Sequence, residues 1–173
     1  QFVSELTPTF FSPEIETFSG KSDRPSEKVE DFEAKRRLGE NDTRICEIIR
    51  SDSVQEFSKY VTLNSYNLEG RIERSLFETN NFLREQESTT LIQYAAYKGS
   101  IQIFKHLRTN NVPLSESLFL YAIHSDNAEI IQIIEDEIEK IEDNEIYLKC
   151  YIEATKCHHC EVADHFYEKL NDS

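Results

Sequence analysis

Thr90 to Leu114 reads TLIQYAAYKGSIQIFKHLRTNNVPL, and this stretch decides the fold. An apolar run of helical character opens it, and Lys98-Gly99-Ser100 breaks that run. A second apolar run follows from Ile101 to Leu107, then a loop with Asn110-Asn111 and Pro113. The pattern is helix, turn, helix, loop. A unit of this size cannot bury its own apolar face, so it must stack on copies of itself. Such a stack presents a surface rather than a reaction pocket, which points toward binding and away from catalysis.

The copies align directly. Tyr94-Ala95-Ala96-Tyr97-Lys98-Gly99 matches Tyr121-Ala122-Ile123-His124-Ser125-Asp126, 27 residues on. Beyond each turn, Gln102-Ile103-Phe104 matches Glu129-Ile130-Ile131, and Leu107 matches Ile134. A third copy, a further 32 residues on, places Ala154 on Ala122, His158-His159 on Asp126-Asn127, and Glu161-Val162 on Glu129-Ile130. A weaker copy upstream runs from Thr43 through Ile49, then Asp52-Ser53, Phe57 and Tyr60. It lies 47 residues before Thr90, so extra chain is inserted there. The offsets bracket a period of about 33 residues, the length of an ankyrin-type helix pair.

The Thr90 segment resembles the ankyrin repeat. Thr90 stands in the Thr position of the Thr-Pro-Leu-His opening, Ile92 in the Leu position and Gln93 in the His position. Ala95 and Ala96 take the paired alanines and Gly99 the turn glycine, while Leu91 replaces the usual Pro and Ser100 the usual His. The wider run resembles a divergent, protist-expanded ankyrin-like branch with no settled biochemical role. The phrases that carry this are Gly39–Asp42, Phe77–Asn80, Gly99–Phe104, Leu120–His124 and Lys156–His159. The resemblance covers roughly residues 35 to 170. It implies an all-α, ankyrin-like helix-pair solenoid of about four irregular repeats, with an extra helix at the N-terminal side.

Composition agrees with a folded domain: 173 residues, 38% apolar and 30% charged. No apolar run approaches the roughly 20 residues needed to cross a bilayer. No cationic segment followed by an apolar one reads as a secretory signal. The chain begins with Gln1 and has no Met, the mark expected of an excised or processed fragment. The expected location is the cytoplasm. The formal charge is −14, which disfavours nucleic acid and anionic membranes and favours steering of a basic protein partner. The densest cationic stretch, Lys35-Arg36-Arg37, sits among Glu30, Asp31, Glu33 and Glu40.

Residues 1–25 differ in kind. They hold Pro8, Pro13 and Pro25 and show neither helical nor strand periodicity, yet carry Phe2, Phe10, Phe11 and Phe18. They read as an extended arm or linker: either some of the aromatics dock on the repeat domain, 26–173, or on a neighbouring copy, or the segment is a mobile extension with incidental aromatics. Ser26 is an expected N-cap for a helix with Val29, Phe32 and Leu38 on one side, ended by Gly39. Asp42 or Thr43 caps the next helix, and Ser53 begins another with Val54, Phe57 and Val61 on its stripe. Leu76, Phe77, Phe82 and Leu83 predict a helix near 73–86. The acidic run Glu135–Glu145 reads as a solvated helix end or long loop. Val61–Leu63 and Val112–Leu114 are too short for a sheet.

Cys157-His158-His159-Cys160 has the Cys-x2-Cys spacing of one half of a zinc site, with only Cys150 and His165 near in sequence to complete it. A metal-binding or thiol-dependent protein centred there is the alternative function. The structural reading puts both histidines in the repeat turn, Cys157 at the end of a first helix and Cys160 in the small apolar slot of Ile101 and Ala128. Cys46 and Cys150 read as small buried apolar residues. No phosphate-cradling Gly loop, Gly-x-Ser-x-Gly elbow or His-Glu-x-x-His occurs, and no catalytic residue, metal ligand or cofactor is assigned.

The expected function is therefore a protein–protein interaction module, with self-assembly as a further alternative. In ankyrin-like stacks the recognition surface is the concave side. Carried onto this sequence, that implies Gln93, Tyr97, Lys98, His124, Ser125 and Lys156 as partner-binding residues, with Cys157 beside Lys156. Tyr97 and His124 are expected side by side on adjacent repeats, either as an aromatic stripe on that surface or packed between neighbouring first helices.

Overall fold

A recurring backbone corner organises the chain. In a computed structural model that describes residues 27–138 and 145–172, Asp52, Gly99, Asp126 and His158 all adopt left-handed backbone, with φ of 50°, 69°, 52° and 61°. These four positions are separated by 47, 27 and 32 residues, the same offsets at which the sequence copies align. Each corner ends one helix and the next residue, Ser53, Ser100, Asn127 or His159, leads into another. A left-handed residue at this point satisfies carbonyls left open at the helix end while reversing the chain.

The described residues contain ten helices: α1 Glu27–Leu38, α2 Arg44–Arg50, α3 Val54–Leu63, α4 Asn81–Glu85, α5 Leu91–Lys98, α6 Ile101–Thr109, α7 Leu118–Ser125, α8 Ala128–Glu137, α9 Glu145–Lys156 and α10 Cys160–Asp172. Among them no strand forms, and Arg71 and Thr90 make an isolated antiparallel bridge. The protein is all-α. Helix starts follow their caps. Ser53 accepts from the Glu56 amide, and Asn127 from those of Glu129 and Ile130. Thr90 and Gln93 form a reciprocal capping box at α5.

The chain forms two compact units. In the larger, Ile45–Ile72 with Thr89–Ser173, α5 packs on α7 and α7 on α9, while α3 packs on α6 and α6 on α8. The pairs α5–α6, α7–α8 and α9–α10 also pack internally. Ala95, Ala122 and Ala154 are fully buried on α5, α7 and α9, where small side chains let neighbouring helices approach closely. Tyr94, Phe104, Leu107, Phe119, Ile130, Ile134 and Phe166 fill the space between the helices. Phe119 and Phe166 meet edge to face at 5.7 Å. Each such ring or branched side chain contributes about 1.5–3 kcal/mol by leaving water. Cys46 and Cys150 are fully buried in this unit.

Neighbouring corners are also tied by polar bonds. Ser100 Oγ donates to the Ile49 carbonyl at 2.6 Å, and His159 Nδ1 to the Ile123 carbonyl at 2.7 Å. Ile49 and Ile123 each lie three residues before a corner, so these are the same bond in two copies. The Asp52 carboxylate accepts from the Gln102 and Ile103 amides at the start of α6. The chain leaves this unit at Ile72 and re-enters at Thr89, where Ile72 N donates to the Thr89 carbonyl (2.8 Å) and Leu91 N to the Gly70 carbonyl (3.1 Å).

The smaller unit joins the region up to Arg44 with Glu73–Ser88. Gly39, at φ 68°, follows α1. Phe32 meets Phe77 edge to face at 5.2 Å, and Lys35 pairs with Asp31 and Asp42. The helix predicted near 73–86 is far shorter: only Asn81–Glu85 is helical, with Asn80 as N-cap. The preceding residues are engaged elsewhere. The Glu73 carbonyl accepts from Asn41 Nδ2, Ser75 Oγ bonds the Asp42 amide and carboxylate, and Thr79 bonds Gly39. Tertiary hydrogen bonds take the groups that a helix would need. Residues 1–25, with the aromatic arm and its docking, lie outside the described residues, as do the Ser26 cap and 139–144 of the acidic run. Cys160 is exposed rather than in an apolar slot, because that position opens α10 on its solvent side.

Candidate binding surface

The last turns of α5, α7 and α9 carry five of the six expected partner-binding residues. Tyr97 lies between Tyr94 on its own helix, with the rings stacked at 6.4 Å and 21°, and His124 on α7, whose ring centroid is 5.1 Å away. The Lys98 ammonium sits 5.2 Å from the Tyr97 ring and 5.7 Å from Tyr94. This cation–π contact fixes the long side chain along the aromatic pair. His124 reaches on to α9, where its Nε2 hydrogen-bonds Glu153 Oε1 at 3.0 Å. Lys156 Nζ pairs with the other oxygen, Glu153 Oε2, at 2.9 Å. A continuous strip results: Lys98, Tyr97, His124, Glu153, Lys156.

Tyr97, Lys98, His124 and Glu153 are half-buried and Lys156 is exposed. Ser125 donates to the Ala122 carbonyl and lies against the Gly99 corner. Gln93 sits one turn before Tyr97, with its amide in the capping box and its Nε2 3.5 Å from Ser117 Oγ.

The strip repeats a contact found earlier in the chain. Arg50 Nη1 donates to Tyr94 Oη at 3.0 Å. Arg50 and His124 each lie two residues before a corner, and Tyr94 and Glu153 each lie five before the next one. Both pairs bridge consecutive first helices in the same register, with different chemistry.

Electrostatics at His124 follow from this packing. Burial pushes its pKa below the ordinary histidine value, against the upward pull of Glu153. Burial, reinforced by Glu153, pushes the Cys157 thiol up. Cys157 Sγ lies 3.5 Å from His124 Nδ1. His124 thus meets the Cys157 sulfur through Nδ1 and the Glu153 carboxylate through Nε2.

The four residues of Cys157–Cys160 point to different partners. Cys157 faces His124, and His158 forms the corner. His159 bonds Ile123, and Cys160 Sγ faces the His158 carbonyl at 3.9 Å. Glu153 was not singled out by sequence. Its signal was faint: its register position holds Tyr94 and Tyr121 in two copies and Glu47 in the first. A concavity of about 510 Å³ lies between α8 and α10 and is lined by residues that include Asp126, Glu135, His158, His159, Glu161 and His165. No family model, curated protein or solved structure matches the chain. No helix among the described residues is long and apolar enough to cross a membrane.

Proposed function

We propose that the chain is an irregular ankyrin-like solenoid of about four helix pairs, acting in the cytoplasm as a protein-interaction module without catalytic activity. The observation that carries this reading is the strip from Lys98 to Lys156, in which equivalent turns of consecutive first helices present aromatic and charged groups side by side. Partly buried aromatic groups flanked by long cations suit recognition of another folded surface. The recurring sequence copies, and the corners that fall at the same offsets, support the repeat reading. The charge of −14 favours a basic protein partner, with association slowing as salt rises.

The test places a photo-cross-linking residue at position 97, 98 or 156 of the chain, and at Gln102 and Gln132 as controls on second helices. Expected is one protein captured at all three strip positions, in a yield that falls with salt; capture from 98 and 156 is lost when Tyr97→Ala and His124→Ala are added with helicity unchanged. Equal capture at the control positions would remove the surface assignment. Capture of a second copy of the chain alone would shift the reading to self-assembly.

A further inference from the structure

Among the described residues, one group of three or more His, Cys, Asp or Glu side chains brings its donor atoms together: His124, Glu153 and Cys157, each offering one atom within 4.8 Å of the others. We propose that these three residues bind a Zn²⁺ ion that ties α7 to α9. A thiolate, an imidazole nitrogen and a carboxylate oxygen are the donor types zinc takes, and three protein ligands leave a fourth place for water.

Two of the three ligands already have the spacing the ion needs. With Zn–S of about 2.3 Å and Zn–N of about 2.0–2.1 Å, two ligands of a tetrahedral ion lie about 3.5 Å apart. Cys157 Sγ and His124 Nδ1 are 3.5 Å apart. The Glu153 carboxylate is already drawn to His124 and must turn from Nε2 toward the ion. What it gives up besides that bond is a pairing with Lys156, whose side chain is 66% exposed and solvates readily on release. The His124 and Glu153 side chains are only 14% and 15% exposed, so the ligands are held by packing rather than free to scatter. Binding replaces the thiol proton: Zn²⁺ and Cys–SH give Zn–S–Cys and one H⁺ released to solvent, with no redox change.

This site differs from a Cys157–Cys160 box, since Cys160 is exposed and turned to the His158 carbonyl. It goes beyond partner binding. His124 and Glu153 belong to both, so the test uses the chain alone and leaves the partner reading untouched by its failure.

Purified full chain is titrated with Co²⁺ as the spectroscopic probe and then with Zn²⁺. Expected are a sulfur-to-cobalt charge-transfer band and visible d–d bands saturating at one ion per chain and bleached by zinc. Cys157→Ser should abolish the charge-transfer band, Cys160→Ser should keep it, and Glu153→Gln should weaken affinity about 10-fold or more. If Cys157→Ser folds poorly by circular dichroism, the unaltered chain is treated with iodoacetamide with and without zinc. Zinc should then protect Cys157 and not Cys160. A native chain without the band, a band retained in folded Cys157→Ser, or equal alkylation of Cys157 with and without zinc would overturn the site.

Discussion

Cys150 shows what the interior does to a single ionisable group. It is fully buried, and burial, with a smaller contribution from Glu135, pushes its thiol up to about 12 from an ordinary 9.0. The folded chain therefore keeps the proton in a range where the unfolded chain loses it, so stability is complete below pH 9 and declines as pH rises from 9 toward 12. Urea unfolding at pH 8, 9, 10 and 11 should show this decline, and Cys150→Ala should flatten the part that Cys150 causes. Tyr121, also raised by burial, adds to the slope above pH 10 and remains in the variant. The burial of Cys150 was legible in the sequence, because it sits in an apolar helical register. The link from His124 to Glu153 was not. They are 29 residues apart, and nothing local to either names the other.

At the scale of the element, the corner between paired helices is the feature that sequence and physics agree on most closely. Gly99 accepts φ 69° freely, and a methyl group there would meet Ser125 Cβ at 3.2 Å. Gly99→Ala should therefore destabilise by about 1–2 kcal/mol, read as a lower urea midpoint with unchanged slope. Asp126→Gly, at the equivalent corner, should fall within about 1 kcal/mol of the parent, since relief of backbone strain offsets the added freedom of the unfolded chain. The glycine marked the first corner on its own. Asp52, Asp126 and His158 became legible only through alignment to it, because Asp and His do not announce left-handed backbone. The overlong helix expected at 73–86 failed for a different reason. Leu76 and Phe77 have helical spacing, but Ser75 and Thr79 bond the Gly39–Asp42 turn, a partner more than thirty residues away. Periodicity reports which side chains are apolar; it cannot report that distant polar groups have claimed the backbone.

Over the whole molecule, 33 acidic residues stand against 19 basic ones. The excess repels itself in the compact state, so raising NaCl from about 0.02 M to 0.5 M should raise the thermal midpoint through shorter screening lengths. A midpoint that falls would mean that local ion pairs such as Lys35–Asp42 outweigh the net repulsion. The all-α class was readable in the sequence and holds over the described residues. The division into two units was not, because it depends on where Glu73–Ser88 goes after it leaves Ile72.

That departure is pinched shut at its neck. Gly70, Ile72, Thr89 and Leu91 pair where the strands of chain cross, so the sixteen-residue detour hangs from a closed clasp rather than from two loose ends. Whatever is spliced into such a loop, longer or shorter, begins and finishes at nearly one point in space. The closed neck at Gly70 and Leu91 thus holds Asp52 in step with the amides it caps, whatever path the detour takes.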